Sequence, residues 1–197
     1  SLEKVEYIKS EDIPNIDLYM DQVLTFMDRK LRSAVRPQTE DRILTKTMIN
    51  NYAKNDLLPP PVKKKYSKEH VLLLIFIYYY KGIIPMNEIQ TLLKPLTDRY
   101  FQNGQVFDLE SVYKEVVVLE KEQLEDLKKD HDIVITLEDG ILDGGFGEKI
   151  TRFYGDSEMK VLNYGLKKEF LDRYDAAEVL KDNRLTKEQI TEDVMKL

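Results

Sequence analysis

The side chains able to do chemistry are few, and they fall in two places. In the C-terminal third, three carboxylates, Glu138, Asp139 and Asp143, precede a glycine-rich Gly144-Gly145-Phe146-Gly147. Carboxylates that follow a strand stand where α/β folds commonly place their sites, and they can serve as acid, base or ligands for Mg²⁺. No nucleophile, histidine or lysine is fixed beside them by spacing, so they read first as structural. The glycine-rich stretch opens a helix whose backbone N–H groups are able to accept phosphate. It lacks the Gly-Lys-Ser/Thr of a phosphate-binding loop and reads as a tight strand-to-helix turn. The chain has no cysteine, which removes thiolate zinc sites, cysteine nucleophiles and disulfides. Its two histidines, His70 and His131, are too few for a multi-histidine metal centre and read as structural. The chemistry-bearing residues therefore imply no catalytic residue, no metal and no cofactor.

The second place is a basic window. The whole chain is acidic, with a net charge of −6, yet Arg29–Lys68 holds eleven Lys and Arg side chains against only Glu40, Asp41 and Asp56. Such a local excess attracts phosphate backbones in a way the overall charge conceals. Within it, Lys46, Thr47, Asn50, Asn51 and Lys54 fall at helical spacing on the side opposite Met48, Ile49 and Tyr52. Asn suits bidentate contacts to adenine, and Lys suits guanine edges or phosphates. Lys63, Lys64, Lys65 and Tyr66 follow a Pro59-Pro60-Pro61 run and would add phosphate affinity without reading sequence. A charged face turned only to water is the bland alternative.

Among the elements that carry these residues, apolar spacing predicts a helix over Asn15–Ala34. A short helix capped by Thr45 comes next and ends in the apolar anchor Leu57-Leu58. The proline run forces extended backbone. Ser67 caps a helix reaching about Lys81, where Gly82 stops it, and the apolar run Val71–Tyr80 makes that helix the buried centre of this half. Helices at Met86–Leu93 and Asp108–Lys129 follow; the second carries Tyr113, Val116, Val117, Leu124 and Leu127, interrupted by Glu120. After His131-Asp132 the pattern changes to strand Ile133–Leu137, helix Glu148–Tyr154, strand Met159–Asn163 with Gly165 turning out of it, and helices Ala176–Leu180 and Lys187–Met195. Alternating strand and helix imply a parallel α/β unit. The ten-residue apolar run is too short to span a bilayer, no signal-peptide pattern opens the chain, and the composition reads as cytoplasmic.

The order short helix, basic extension, buried helix is that of a winged helix-turn-helix. The stretch Thr45–Leu93, TKTMINNYAKNDLLPPPVKKKYSKEHVLLLIFIYYYKGIIPMNEIQTLL, resembles the MerR DNA-binding domain. There a Thr-initiated helix with a central Tyr leads to Leu-Leu-Pro, a basic wing ending in Tyr, and a helix closing on Lys-Gly. More narrowly, Ile13–Leu31 together with Thr47–Ser67 is similar to a bacterial family of unknown function, family 1836, itself MerR-like. The resemblance runs from about Ile13 to Lys129. It departs from ordinary MerR proteins in the long helix ahead of the recognition helix. It implies double-stranded DNA as partner, and a homodimer formed through the long helix Leu109–Leu127.

Residues Leu124–Val194 resemble the C-terminal end of 1-deoxy-D-xylulose-5-phosphate synthase, of the transketolase group. Thr136-Leu137-Glu138-Asp139-Gly140 and Gly144-Gly145-Phe146-Gly147 carry that likeness. The family's thiamine and magnesium sites lie in its first two domains, and nothing in this chain resembles them. The reading is thus of mixed fold class. A MerR-like all-α winged helix-turn-helix domain occupies 1–130, and an incomplete, transketolase C-terminal-like α/β segment with parallel strands occupies 131–197. The expected function is a DNA-binding transcriptional regulator, with Lys46, Thr47, Asn50, Asn51, Lys54, Lys63, Lys64, Lys65 and Tyr66 at the DNA. The alternative is a protein-interaction or oligomerisation module whose C-terminal segment docks on itself or on an enzyme.

Overall fold

A computed structural model describes residues 7–32, 43–81, 83–99, 108–169 and 174–197. They divide into two compact units, one running up to Asp126 and the other spanning Leu127–Leu197. Gly82 and the segment holding Arg36, Pro37, Glu40, Asp41 and Arg42 lie outside the described residues.

The first unit is helical. A two-residue strand β1 (Leu18–Tyr19) leads into α1 (Met20–Arg32); α2 (Lys46–Lys54), β2 (Lys65–Tyr66), α3 (Lys68–Tyr80), α4 (Met86–Thr97) and α5 (Leu109–Leu127) follow. The helix expected from Asn15 starts five residues later, because Leu18 and Tyr19 pair antiparallel with Tyr66 and Lys65. A pairing partner more than forty positions away is invisible to apolar periodicity. The Tyr19 amide donates to Gln22 Oε1 at 2.8 Å, which fixes the turn from strand to helix.

Helix α3 is the centre of this unit. Every residue from His70 to Ile77 is buried, as the all-round apolar pattern demands. At its start Ser67 and His70 form a reciprocal capping box. His70 Nδ1 accepts from the Ser67 amide at 3.1 Å and lies 2.9 Å from Ser67 Oγ, so two otherwise orphaned groups at the helix end are satisfied. The partly buried ion pair Lys68–Glu110, at 2.5 Å, ties the start of α3 to the start of α5. Lys68 and then Lys114 hold the Glu110 carboxyl down to about 2. Glu120, the polar interruption on α5, lies beside the Tyr7 hydroxyl. Burial, and then Glu120, push the Tyr7 hydroxyl far above its ordinary range. The Tyr113 hydroxyl donates to the Ile8 carbonyl at 2.7 Å.

The second unit is built on two parallel strands, β3 (Ile133–Ile141) and β4 (Lys160–Leu166), with α6 (Phe146–Tyr154) between them in sequence and α7 (Ala176–Asp182) and α8 (Lys187–Met195) after them. The register runs from Ile133 opposite Lys160 to Leu137 opposite Tyr164, then shifts before Ile141 meets Leu166. Both strands are longer than the β-branched runs alone indicate. Strand β4 continues through Gly165, where a Cβ would approach Glu138 Cβ to 2.9 Å, so the glycine serves close approach and not a turn. Among the described residues no helix is long and apolar enough to cross a membrane.

Candidate nucleic-acid interface

Helix α2 presents Lys46, Thr47, Asn50, Asn51 and Lys54 as one exposed arc, while Ile49 and Tyr52 are buried on the opposite side. The arc follows from the 3.6-residue period. Thr45 begins the helix by accepting from the Met48 amide at 3.2 Å. At the other end Asp56 takes a left-handed φ of 54°, and the Leu57 and Leu58 amides both donate to the Tyr52 carbonyl, seating two buried leucines under the helix. Nine residues give a helix about 13 Å long, close to the width of a major groove.

The basic segment after the prolines is a tight hairpin. Val62 and Lys65 exchange both backbone hydrogen bonds, at 2.9 and 3.1 Å, leaving Lys63 and Lys64 as the two loop residues. Both have positive φ, 50° and 65°, as a two-residue type I′ loop requires. Lys63 and Lys64 are exposed at the tip, and Lys65 is half-buried. Tyr66 is different: it is 4% exposed and its ring stands edge-on to His70. The expectation that Tyr66 faces a partner is corrected on this point, because its register opposite Leu18 turns the ring into the core. Its place is beneath the hairpin. His70 holds the other side, near the Pro60 and Pro59 carbonyls, and burial keeps its imidazole below the ordinary range.

The β1–α1 junction joins the two basic features. Tyr19 faces Lys65 across the strand pair, and Asp21, two residues on, pairs with Lys46 at 2.8 Å at the start of α2. Tyr19 and Asp21 are absent from the sequence-derived set because Tyr19 fits the apolar face of a helix. The one signal in the sequence is Asp21 itself, an acidic side chain beside a window of strong positive charge.

The carboxylate–glycine cluster resolves differently. Glu138 and Asp139 lie inside β3, not after it, and Asp143 is exposed. Glu138 is 8% exposed, and its Oε1 accepts from the Gly147 amide at the start of α6. The helix N-terminus read as able to accept phosphate is filled by the chain's own carboxylate. A Cβ at Gly145 would come within 2.7 Å of Glu138, and one at Gly147 would overlap Thr136 Oγ1, so these two glycines make room for strand side chains. Thr136 donates to Asn163 Oδ1, Asn163 to Thr151 Oγ1, and Thr151 to the Gly147 carbonyl, at 2.7 to 2.9 Å, lacing β3, β4 and α6 together. Among the described residues no three acidic or histidine side chains gather to hold a metal ion.

These features describe a chain with a helical, surface-basic first unit and a small parallel α/β second unit. The chain belongs to the family described as Domain of unknown function (DUF1836), whose profile matches residues 8–116. It is also similar to a 1-deoxy-D-xylulose-5-phosphate synthase from Clostridium tetani (strain Massachusetts / E88), 36% identical over 81 residues. Those residues are 40% of this chain and 13% of the synthase, so the chain spans a small fraction of that relative's length. No solved structure matches the chain.

Proposed function

We propose that the first unit is a DNA-binding module of MerR-like, winged helix-turn-helix type and that the chain acts as a transcriptional regulator on double-stranded DNA. In this reading α1 supplies the first helix of the motif, α2 enters the major groove, and the Val62–Lys65 hairpin is the wing on flanking phosphates. The observation that carries it is the β1–α1 junction, which links hairpin and α2 through Tyr19–Lys65 and Asp21–Lys46. Asn50 and Asn51 read bases; Lys46, Thr47, Lys54, Lys63, Lys64 and Lys65 clamp the backbone. A second copy of the chain, meeting along α5 where Val118 and Leu119 are exposed, is the proposed dimer partner. The synthase-like segment is assigned no catalysis and no cofactor.

The test is fluorescence anisotropy of promoter and random duplexes at two salt concentrations. Tight, salt-sensitive binding that prefers the promoter is expected. Asn50→Ala with Asn51→Ala should remove about 1–3 kcal/mol of preference for each base the two side chains read. Absence of binding at low salt refutes the proposal. A second reading is favoured by the outer face of β3, where Ile135, Leu137 and Ile141 are exposed: a module whose C-terminal segment docks on itself or on an enzyme. DNA-independent recovery of such a complex by full-length protein that ignores DNA would support it.

A further inference from the structure

The three residues Tyr19, Lys65 and Val62 share one face of the small hairpin sheet. Tyr19 lies opposite Lys65 in the β1–β2 pair, and Val62 lies opposite Lys65 in the hairpin. Directly paired residues project from the same side of a sheet about 5 Å apart. The neighbouring row, Leu18 with Tyr66, is buried, so the Tyr19 row must face outward. Tyr19 is 53% and Val62 68% exposed, large apolar groups left in the open at the base of a tip made of Lys63 and Lys64. The Lys65 ammonium sits 5.3 Å from the centroid of the Tyr19 ring. That contact fixes a cation without neutralising it, whereas Lys46 is paired with a carboxylate, Asp21.

We propose that the row Tyr19–Lys65–Val62 is a contact surface for the sugar-phosphate backbone of DNA, in which Tyr19 positions Lys65. The proposal rests on the DNA-binding reading above and adds a surface and a residue to it. The chemistry of the row matches a chain of alternating anions and apolar sugar faces. Lys65, held upright by the ring, meets a phosphate, and Val62 lies against a deoxyribose. Holding the ammonium in place before contact reduces the side-chain freedom given up on binding. Tyr19 is itself held by its strand pairing and by the bond from its amide to Gln22.

A double-mutant cycle on the full chain tests this, with a random-sequence duplex at low salt as probe. Tyr19→Leu should weaken binding about two- to fivefold, the worth of an exposed cation–π contact. Tyr19→Phe, which keeps the ring face, should bind like the wild type. Tyr19→Leu should add little once Lys65→Ala is present, a coupling that a purely structural role does not produce. Val62→Ser should weaken binding while leaving its salt slope unchanged, since no counterion release is involved. Additive effects of Tyr19→Leu and Lys65→Ala, or Tyr19→Phe as weak as Tyr19→Leu, overturn this proposal while DNA binding itself stands. Wild-type protein that ignores the duplex but binds polyglutamate overturns the DNA reading and this one together.

Discussion

The hairpin tip sets backbone strain against charge in a way that two substitutions separate. Lys63 and Lys64 both occupy the left-handed region, with φ of 50° and 65°. That region costs about 1–2 kcal/mol per residue with a side chain. Replacing the pair by Asn-Gly supplies the residues a two-residue loop of this type prefers. Glycine returns about 0.5–1 kcal/mol through the entropy of the unfolded chain. The net expectation for Lys63→Asn with Lys64→Gly is a gain of about 1–2 kcal/mol. In urea that moves the midpoint up by about 0.5–1 M. Lys63→Ala with Lys64→Ala is the control: it removes the same charges but keeps Cβ atoms at positive φ, so its midpoint should not rise. In DNA binding the two double variants should behave alike, each lowering the salt slope by about 2 because two phosphates go unneutralised. A fall in the urea midpoint of the Asn-Gly variant, or equal gains in both variants, refutes the account of the loop. An unchanged salt slope refutes its role at DNA.

Three further outcomes follow from single sites. Burial keeps His70 neutral in the fold, below its ordinary 6.5. The stability it contributes is therefore present above pH 6.5 and lost as pH falls from there; His70→Gln, which keeps an acceptor for the Ser67 amide, should flatten that loss in urea titrations monitored by circular dichroism. Glu110 is held at about 2 by Lys68 and Lys114, from an ordinary 4.5, so its contribution is complete above pH 4.5 and fades as pH falls toward 2; Glu110→Gln should cost about 1 kcal/mol at neutral pH and little at the acid end. Gly147→Ala drives a methyl into Thr136 Oγ1; it should destabilise the second unit by about 1–3 kcal/mol, and thermal unfolding that matches the wild type would show that the strand–helix contact is looser than the geometry states.

Much of this protein is local, and local features are what a sequence can state. The Thr45 and Ser67 caps, the all-round apolar α3 and the exposed arc of α2 each depend on residues within a few positions of one another. The parallel sense of β3 and β4 follows from the helix between them. The β-branched run at Ile133 and the apolar periods of α4 and α5 likewise set the kinds of element, though not their ends.

Contacts between distant residues decided the rest. Leu18 and Tyr19 satisfy a helical pattern until Tyr66 and Lys65 are brought beside them. The same pairing turns Tyr66 inward and Tyr19 outward, reversing the roles their types alone indicate. Glu138 reads as one of a structural carboxylate cluster following a strand until the fold places it inside β3 and delivers it to the Gly147 amide, where it occupies a place a phosphate would need. Gly165 reads as a turn until Glu138 approaches it. Glu120 interrupts the apolar face of α5 where Tyr7, from the far end of the unit's sequence, lies beside it. Spacing fixes which side chains share a face, because backbone geometry is local; which face meets which partner depends on loops and packing that no short window of sequence contains.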